Sequence, residues 1–448
     1  MTARDDRSVP GGSGRPTPSG LMWASVLVGA LALAGQSALL PFDLLHPGFI
    51  TNSRDFLIYS DGARTALDGL PLYTTPVGED GFFTYPPFAA LCFTPFTVLP
   101  PAIGGFTWSV LCFLLLALVI GRTLRLTGFR SGAKLWATSL GLAAAATALE
   151  PVRTTLWYGQ INILLMTLIF LDLSRPEPED GAGRGWQLRG AGVGLAAGIK
   201  LIPLIFVPYL LLTRQWRTAA TALATFAGTV AVSWMLLPRD SAQYWFHAVR
   251  DTSHIGELSH PANQSLNGFL ARVWHPGHSP GWLWPVLAAA VTALGLLLAR
   301  SARAGGEKTL ALLLVGLTSC VASPFTWGHH WVWFAPLAAW LIGHSAHARA
   351  AKDTRWARWA AAAAAIGAWA FAWPWHKPPS TPEEPRVVPG IFYHVLDPGS
   401  PWYHHIASGW YVWAYAAIVA GVAIWLRGTR TAAAEEPASQ PRAAGARA

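Results

Sequence analysis

The run "LMWASVLVGALALAGQSALLP" (21–41) carries no charged residue over its whole length. About 20 such residues are what an α-helix needs to cross the hydrocarbon core of a bilayer. Apolar runs recur near 104–121, 135–149, 159–173, 190–201, 202–213, 218–237, 281–299, 309–323, 329–345, 357–373 and 408–426. Within lipid every backbone polar group needs an internal partner, so these runs read as helices. Only 12% of the 448 residues are charged and 52% are hydrophobic, whereas a soluble protein is charged at about 25% of positions. The expectation is an all-α integral membrane protein with about 12 transmembrane helices. A soluble domain on one anchor is excluded.

The least regular segment is "GAGVGLAAGIKLIPLIFVPYLLL" (190–212). Pro203 breaks a helical ladder, and the residue before a proline avoids the αR region. Lys200 is costly at membrane depth unless it reaches water or a partner. Both features predict two short helices meeting at Lys200–Pro203 near an aqueous pocket. The charge distribution supports the split. With both ends on the inner side, nine of the 32 basic residues fall outside and 23 fall inside. One continuous helix would place "RTLRLTGFRSGAK" and "HARAAKDTRWAR" on opposite sides. The glycines of "GAGVG" read as a helix-packing surface rather than a phosphate loop.

This division gives a polytopic domain over 21–426, flanked by tails 1–20 and 427–448 that read as disordered and cytoplasmic. The basic residues act as topology signals, so nucleic acid is not an expected partner. Cys92, Cys112 and Cys320 lie in apolar segments without metal-ligand spacing, and neither a metal nor a cofactor is expected.

Unusual polar residues gather on the outer side. "NSRDFLIYSDGARTALDGLPLY" (52–73) reads as a helix opening at Asn52 or Ser53, with Asp55 in its first turn and a Gly–Pro stop. The residues alone leave Asp55 open between helix start and chemistry. "GFFTYPPFAALCFTPFTVLPP" (81–101) holds an apolar piece too short to span, suited to the interface. Gln160 and Asn162 stand at the mouth of a helix, able to bond sugar hydroxyls or a neighbouring helix. Lys200 suits an anionic phosphate. "HPANQSLNGFL" (260–270) and "SPFTWGHHWVW" (323–333) add Asn263, Gln264, Trp327, His329 and His330.

In order, "RDFLIYSDGARTALDGLPLY", "FTYPPFAAL", "GQINILL", "GIKLIP", "NQSLNG" and "SPFTWGHH" resemble the bacterial family 87 glycosyltransferases, integral-membrane enzymes of GT-C type. The resemblance covers about residues 50–345. It implies helices bundled around an outward cavity, with juxtamembrane helices in the first outer loop. It implies a cell-membrane enzyme acting on the extracytoplasmic side, with a lipid-linked sugar as substrate rather than a cofactor. The reaction implied is α-(1→2) transfer of mannose from polyprenyl-phosphate mannose to an envelope glycolipid or mannan. A polyprenyl-phosphate arabinose donor is the alternative these motifs leave open. Asp55 matches the family's catalytic aspartate. His329 or His330 matches an implicated histidine. Acceptor identity, metal dependence and oligomeric state stay open, as does the role of 374–407.

The chemistry fits that assignment. A glycosidase protonates a poor leaving group and so uses two carboxylates. A polyprenyl phosphate leaves as a stabilised anion, so one base and a cationic phosphate site suffice. The expected set is Asp55 as base, with Lys200, Arg64, His329 and His330 near the phosphate. Gln160, Asn162, Asn263 and Gln264 are expected to orient sugars; Tyr85, Trp157 and Trp327 are expected to stack on them. A transporter or flippase would instead show related halves with matching broken helices, and no internal repeat is present. A non-catalytic lipid-binding scaffold would not require Asp55, Lys200 and His329 together.

Overall fold

The structure is a computed structural model that describes residue 15 and residues 17–39, 53–78, 81–176, 188–251, 254–274, 281–376, 387–389 and 400–435. The described chain is almost wholly helical. The exception is a short antiparallel ribbon pairing Pro374–His376 with Val387–Pro389. The rest of the 374–407 segment, up to residue 399, lies outside the described residues. So do most of both tails, although the last helix continues to Glu435, past the expected boundary at 426.

The chain passes repeatedly between two ends. Helix α1 (Ser19–Leu39) leads to α2 (Arg54–Leu67) and α3 (Pro87–Phe93), the two short helices expected in the first outer loop. Then come α4 (Pro101–Leu126), α5 (Ala133–Ala146), α6 (Glu150–Tyr158) and α7 (Asn162–Leu173). Pro87, Pro101 and Pro151 each sit in a first helical turn, where a missing N–H costs no intrahelical bond. At the basic end, Arg15 N donates to Gly128 O (3.0 Å), Lys134 to Ser19 (3.1 Å), and Arg122 Nε to Ser174 Oγ (3.0 Å). At the other end, Ser53 N donates to Trp157 O (2.9 Å) and Glu150 N to Ala370 O (2.7 Å). These bonds keep each set of loops at one level.

The 190–212 segment breaks where Lys200 adopts an extended conformation (φ −152°, ψ 130°). α8 (Ala191–Ile199) runs alongside and parallel to α10 (Trp216–Leu236). Gly190, Gly194 and Gly198 fix this approach. A β-carbon on each would lie 2.2–2.4 Å from Thr218 O, Ala222 O and Thr229 Oγ1 in turn. After a 3₁₀ turn at Ile202–Ile205, α9 (Phe206–Leu212) returns to the starting end, where Arg189 Nη1 donates to Gln215 (3.1 Å). The glycines are thus a packing surface.

Five described helices are long and apolar enough to cross a membrane, and a sixth crossing is counted if α6 and α7, bent by 116°, form one span. That is fewer than the twelve apolar runs. The remaining helices are too short because several break around one cavity: at Gly159, at Lys200, and at Gly328–Trp333. Irregular backbone at membrane depth is tolerated where it lines such a space. The chain continues through α11 (Pro238–Phe246), α12 (Leu266–Val273), α13 (Leu283–Ala304), α14 (Lys308–Ala322), α15 (Phe334–Ala350), α16 (Trp356–Trp369), α17 (Trp402–Ala407) and α18 (Trp410–Glu435).

Candidate active site

The three breaks open onto a cavity of about 990 Å³. Its wall includes Asp55, Tyr85, Gln160, Lys200, Trp327, His329 and His330 from the expected set.

Asp55 enters on the first turn of α2. Asn52, one of the two expected caps, lies outside the described residues. Ser53 occupies the cap position with a left-handed backbone (φ 47°) and no side-chain cap bond; its N–H is spent on Trp157 O. α2 buries Phe56, Tyr59 and Ala63, while Leu67 at its end is exposed. Gln160 stands just past the left-handed Gly159 that ends α6. Its Nε2 donates to Asp55 Oδ2 at 2.5 Å. Tyr59 donates to Gln160 Oε1 at 2.9 Å, so Tyr85, whose hydroxyl lies 2.9 Å from that of Tyr59, is the donor in that pair. Burial pushes both phenols above their ordinary range, and the Asp55 carboxylate adds to the effect. They therefore stay protonated, and every donor in the row Tyr85–Tyr59–Gln160 is aimed toward Asp55.

Lys200 reaches the cavity from the extended break after α8. Its Nζ lies 2.9 Å from His330 Nε2 and 5.4 Å from the centre of the Tyr85 ring. An ammonium only donates, so His330 Nε2 accepts and the ring proton sits on Nδ1. His329 and His330 belong to a short 3₁₀ segment with rings 4.9 Å apart. The backbone of His329 is held by Thr155 Oγ1 (3.0 Å) and Asn162 Nδ2 (3.2 Å) donating to its carbonyl. His329 Nε2 and His330 Nδ1 are buried with no partner among the described residues.

Five expected residues are placed elsewhere. Arg64 is exposed and donates to Thr97 O (2.9 Å), away from the cavity wall. Asn162 lies behind the wall, accepting from Lys200 at 3.5 Å. Asn263 and Gln264 are fully buried and spent on backbone. Asn263 Oδ1 accepts from Thr326 N (3.1 Å) and Ser265 N (3.3 Å). Gln264 donates to Pro261 O (2.6 Å) and Ser408 O (2.8 Å) and accepts from Tyr411 N (2.9 Å). These two brace the "SPFTWGHH" loop against α18 rather than meeting a substrate. Trp157 lies off the wall too, under the guanidinium of Arg153 at 5.2 Å. Local sequence does not reveal these side-chain directions.

The wall also carries residues the sequence reading passed over: Tyr59, Glu150, Thr154, Tyr158 and Asp251. Asp55 is therefore not the lone carboxylate of the outer cavity. The i, i+4, i+8 spacing of Glu150, Thr154 and Tyr158 was a signal available in the sequence. Among the described residues no group of three or more His, Cys, Asp or Glu is placed to hold a metal ion. Near the mouth, His260 packs on Trp327, and Arg272 donates to His260 O, Asn263 O and Ser408 Oγ at 2.7–2.9 Å. Burial lowers the pKa of both side chains, Arg272 to about 9.

The family model of glycosyltransferase family 87 matches residues 83–324, over half of the chain. That stretch contains Tyr85, Gln160 and Lys200; Asp55 and the two histidines fall outside it. A Mycobacterium tuberculosis polyprenol-phosphate-mannose-dependent alpha-(1-2)-phosphatidylinositol mannoside mannosyltransferase is 37% identical over 308 residues, covering 64% of this chain and 70% of the relative. A Mycolicibacterium smegmatis protein of the same description is 39% identical over 313 residues, 63% and 68% of the two chains. The M. smegmatis pentamannoside mannosyltransferase of this type is 36% identical over 317 residues, 68% and 73% of the two chains. No solved structure matches the chain.

Proposed function

The chain belongs to glycosyltransferase family 87, and from that premise we propose that it moves mannose from polyprenyl-phosphate mannose to a hydroxyl of a phosphatidylinositol mannoside, forming an α-(1→2) link on the extracytoplasmic face. The donor and the class of acceptor rest on the names of the relatives. All of those quoted act from a mannose donor, so the arabinose and transport readings are set aside. The observation that carries the mechanism is one cavity holding a hydrogen-bonded carboxylate and a cationic pair: Asp55 on Gln160, and Lys200 on His330.

The reaction is a single inverting displacement. The acceptor hydroxyl attacks the anomeric carbon as Asp55 takes its proton. The bond from that carbon to the phosphate oxygen breaks, and polyprenyl phosphate leaves with the electron pair. Lys200, its ammonium held by His330 Nε2, meets the charge growing on the phosphate, in a site where fixed donors act more strongly than in water. Inversion turns a β-linked donor sugar into an α-linked product. Gln160 holds the base in place, and Tyr85 and Trp327 offer ring faces to the sugars. The expected bias of basic residues toward the inner side supports a cavity mouth on the outer side.

The test is transfer from labelled polyprenyl-phosphate mannose to phosphatidylinositol mannosides by the purified protein. Asp55→Asn keeps the Gln160 contact in shape but removes the base, and transfer is expected to fall at least about 100-fold. A folded Asp55→Asn protein with normal transfer would remove Asp55 from the mechanism.

A further inference from the structure

α6 turns one face to the cavity. Glu150, Thr154 and Tyr158 all line it, spaced so that they stack along one side of the helix. At 1.5 Å per residue the stripe is about 12 Å long. It ends beside the break that carries Gln160, the partner of Asp55. A row of polar groups longer than one hexose ring therefore leads to the proposed base.

Glu150 has no part in the reaction described above. It is buried and lines the cavity. Oε1 accepts from Thr154 Oγ1 (2.9 Å) and Oε2 from the Tyr411 hydroxyl (3.0 Å). A carboxylate offers about four acceptor positions, and these two bonds fill half of them. The occupant that suits the rest is a neutral polyol, whose hydroxyls donate. An anionic phosphate is repelled there, and a polyprenyl chain would strip water from the carboxylate without replacing its bonds. The cavity, at about 990 Å³, is at the upper end of the size of small-molecule sites, so it has room beyond one mannosyl phosphate.

We propose that the Glu150–Thr154–Tyr158 stripe is an acceptor-glycan subsite. It holds mannose units that precede the attacked one, and Glu150 accepts hydrogen bonds from the hydroxyls of the most distant unit. The transfer arm of this inference rests on the proposed function. Acceptors with an extended mannosyl headgroup engage Glu150; an acceptor with one mannose does not reach it.

The experiment uses the full-length protein in lipid nanodiscs, with acceptors bearing one or four mannoses. Glu150→Gln is expected to raise KM for the four-mannose acceptor about tenfold, the loss of one hydrogen bond to a charged group. KM for the donor and for the one-mannose acceptor should move less than about twofold. Tyr411→Phe removes a bond to Glu150 but leaves the carboxylate itself in place. It should lower thermal stability and keep the wild-type ratio of acceptor KM values. Equal effects of Glu150→Gln on both acceptors, or the same KM ratio change in Tyr411→Phe, would overturn the subsite. If Glu150→Gln does not fold, Thr154→Val carries the same comparison with a smaller shift. Saturation-transfer NMR with free α-(1→2)-mannotriose and no donor gives a separate reading. Signal with wild type that is lost in the variant supports the subsite; equal signal overturns it. Failure of wild type to transfer mannose in the assay counts against the proposed function, while the NMR result still decides the subsite.

Discussion

Gly159 controls how closely α2 approaches the break between α6 and α7. Its backbone is left-handed (φ 67°, ψ 36°), and a β-carbon there would lie 2.6 Å from Cβ of Phe56, the neighbour of Asp55 in the chain. Ordinary contact begins at 3.4 Å, so α2 must retreat by about 0.8 Å. If the retreat passes to Asp55, its bond to Gln160 opens from 2.5 Å to about 3.3 Å, beyond the usual N–H···O range. A misplacement of about 1 Å costs up to about 100-fold in rate, so Gly159→Ala is expected to lose about 30- to 100-fold in kcat. Alanine also pays about 1–2 kcal/mol for the left-handed backbone. Asparagine tolerates that backbone better but carries the same β-carbon. Gly159→Asn should therefore lose as much rate as Gly159→Ala while unfolding at a higher temperature. Single-turnover transfer from labelled donor at saturating acceptor, with thermal unfolding of each variant, provides the measurement. A Gly159→Asn protein within threefold of the wild-type rate would refute the idea that this contact sets the position of the base.

Two other predictions concern the brace at the cavity mouth. Arg272→Leu strands the carbonyls of His260 and Asn263 and the hydroxyl of Ser408, and should cost about 3 kcal/mol or more, read as a lower midpoint of thermal unfolding in detergent. His260 is held below its ordinary pKa of 6.5 by burial, with Arg272 adding to the shift and Glu257 opposing it. Above pH 6.5 the ring is neutral folded or unfolded and costs nothing. As the pH falls below 6.5 the unfolded chain takes up the proton first, so stability is lost until the folded value is reached. His260→Gln should shrink the drop in unfolding temperature between pH 7.5 and 5.5, and an unchanged drop would clear His260 of that role.

Much of the protein was legible in one dimension. Apolar runs are long, contiguous signals, and lipid leaves a helix as the answer to each. The break at Lys200 was visible because a proline and a charge disrupt such a run locally. The cavity residues Gln160, Lys200, His329 and His330 were legible as polar groups beside apolar runs, whereas Asp55 was marked only by the family resemblance. Helix length departed from run length because apolar composition does not mark where a helix breaks: the run 190–212 is apolar but for Lys200, yet it holds two helices joined by an extended residue and a 3₁₀ turn.

What the sequence alone determined is that the chain is helical and apolar enough for a membrane, how the basic residues divide among the loops, and which polar residues are out of place beside the apolar runs. Only tertiary structure decided which of those residues share a space. Asn263, Gln264 and Arg64 have the right chemistry, but their side chains are spent on the backbone of neighbouring loops. The helical spacing of Glu150, Thr154 and Tyr158 marked a shared face but not where it points; it lies on the wall because α6 packs its other face against the His329 loop. Side-chain direction depends on which neighbour fills each face of a helix, and those neighbours come from other elements of the chain, 33 residues away for Arg64 and 144 for Gln264.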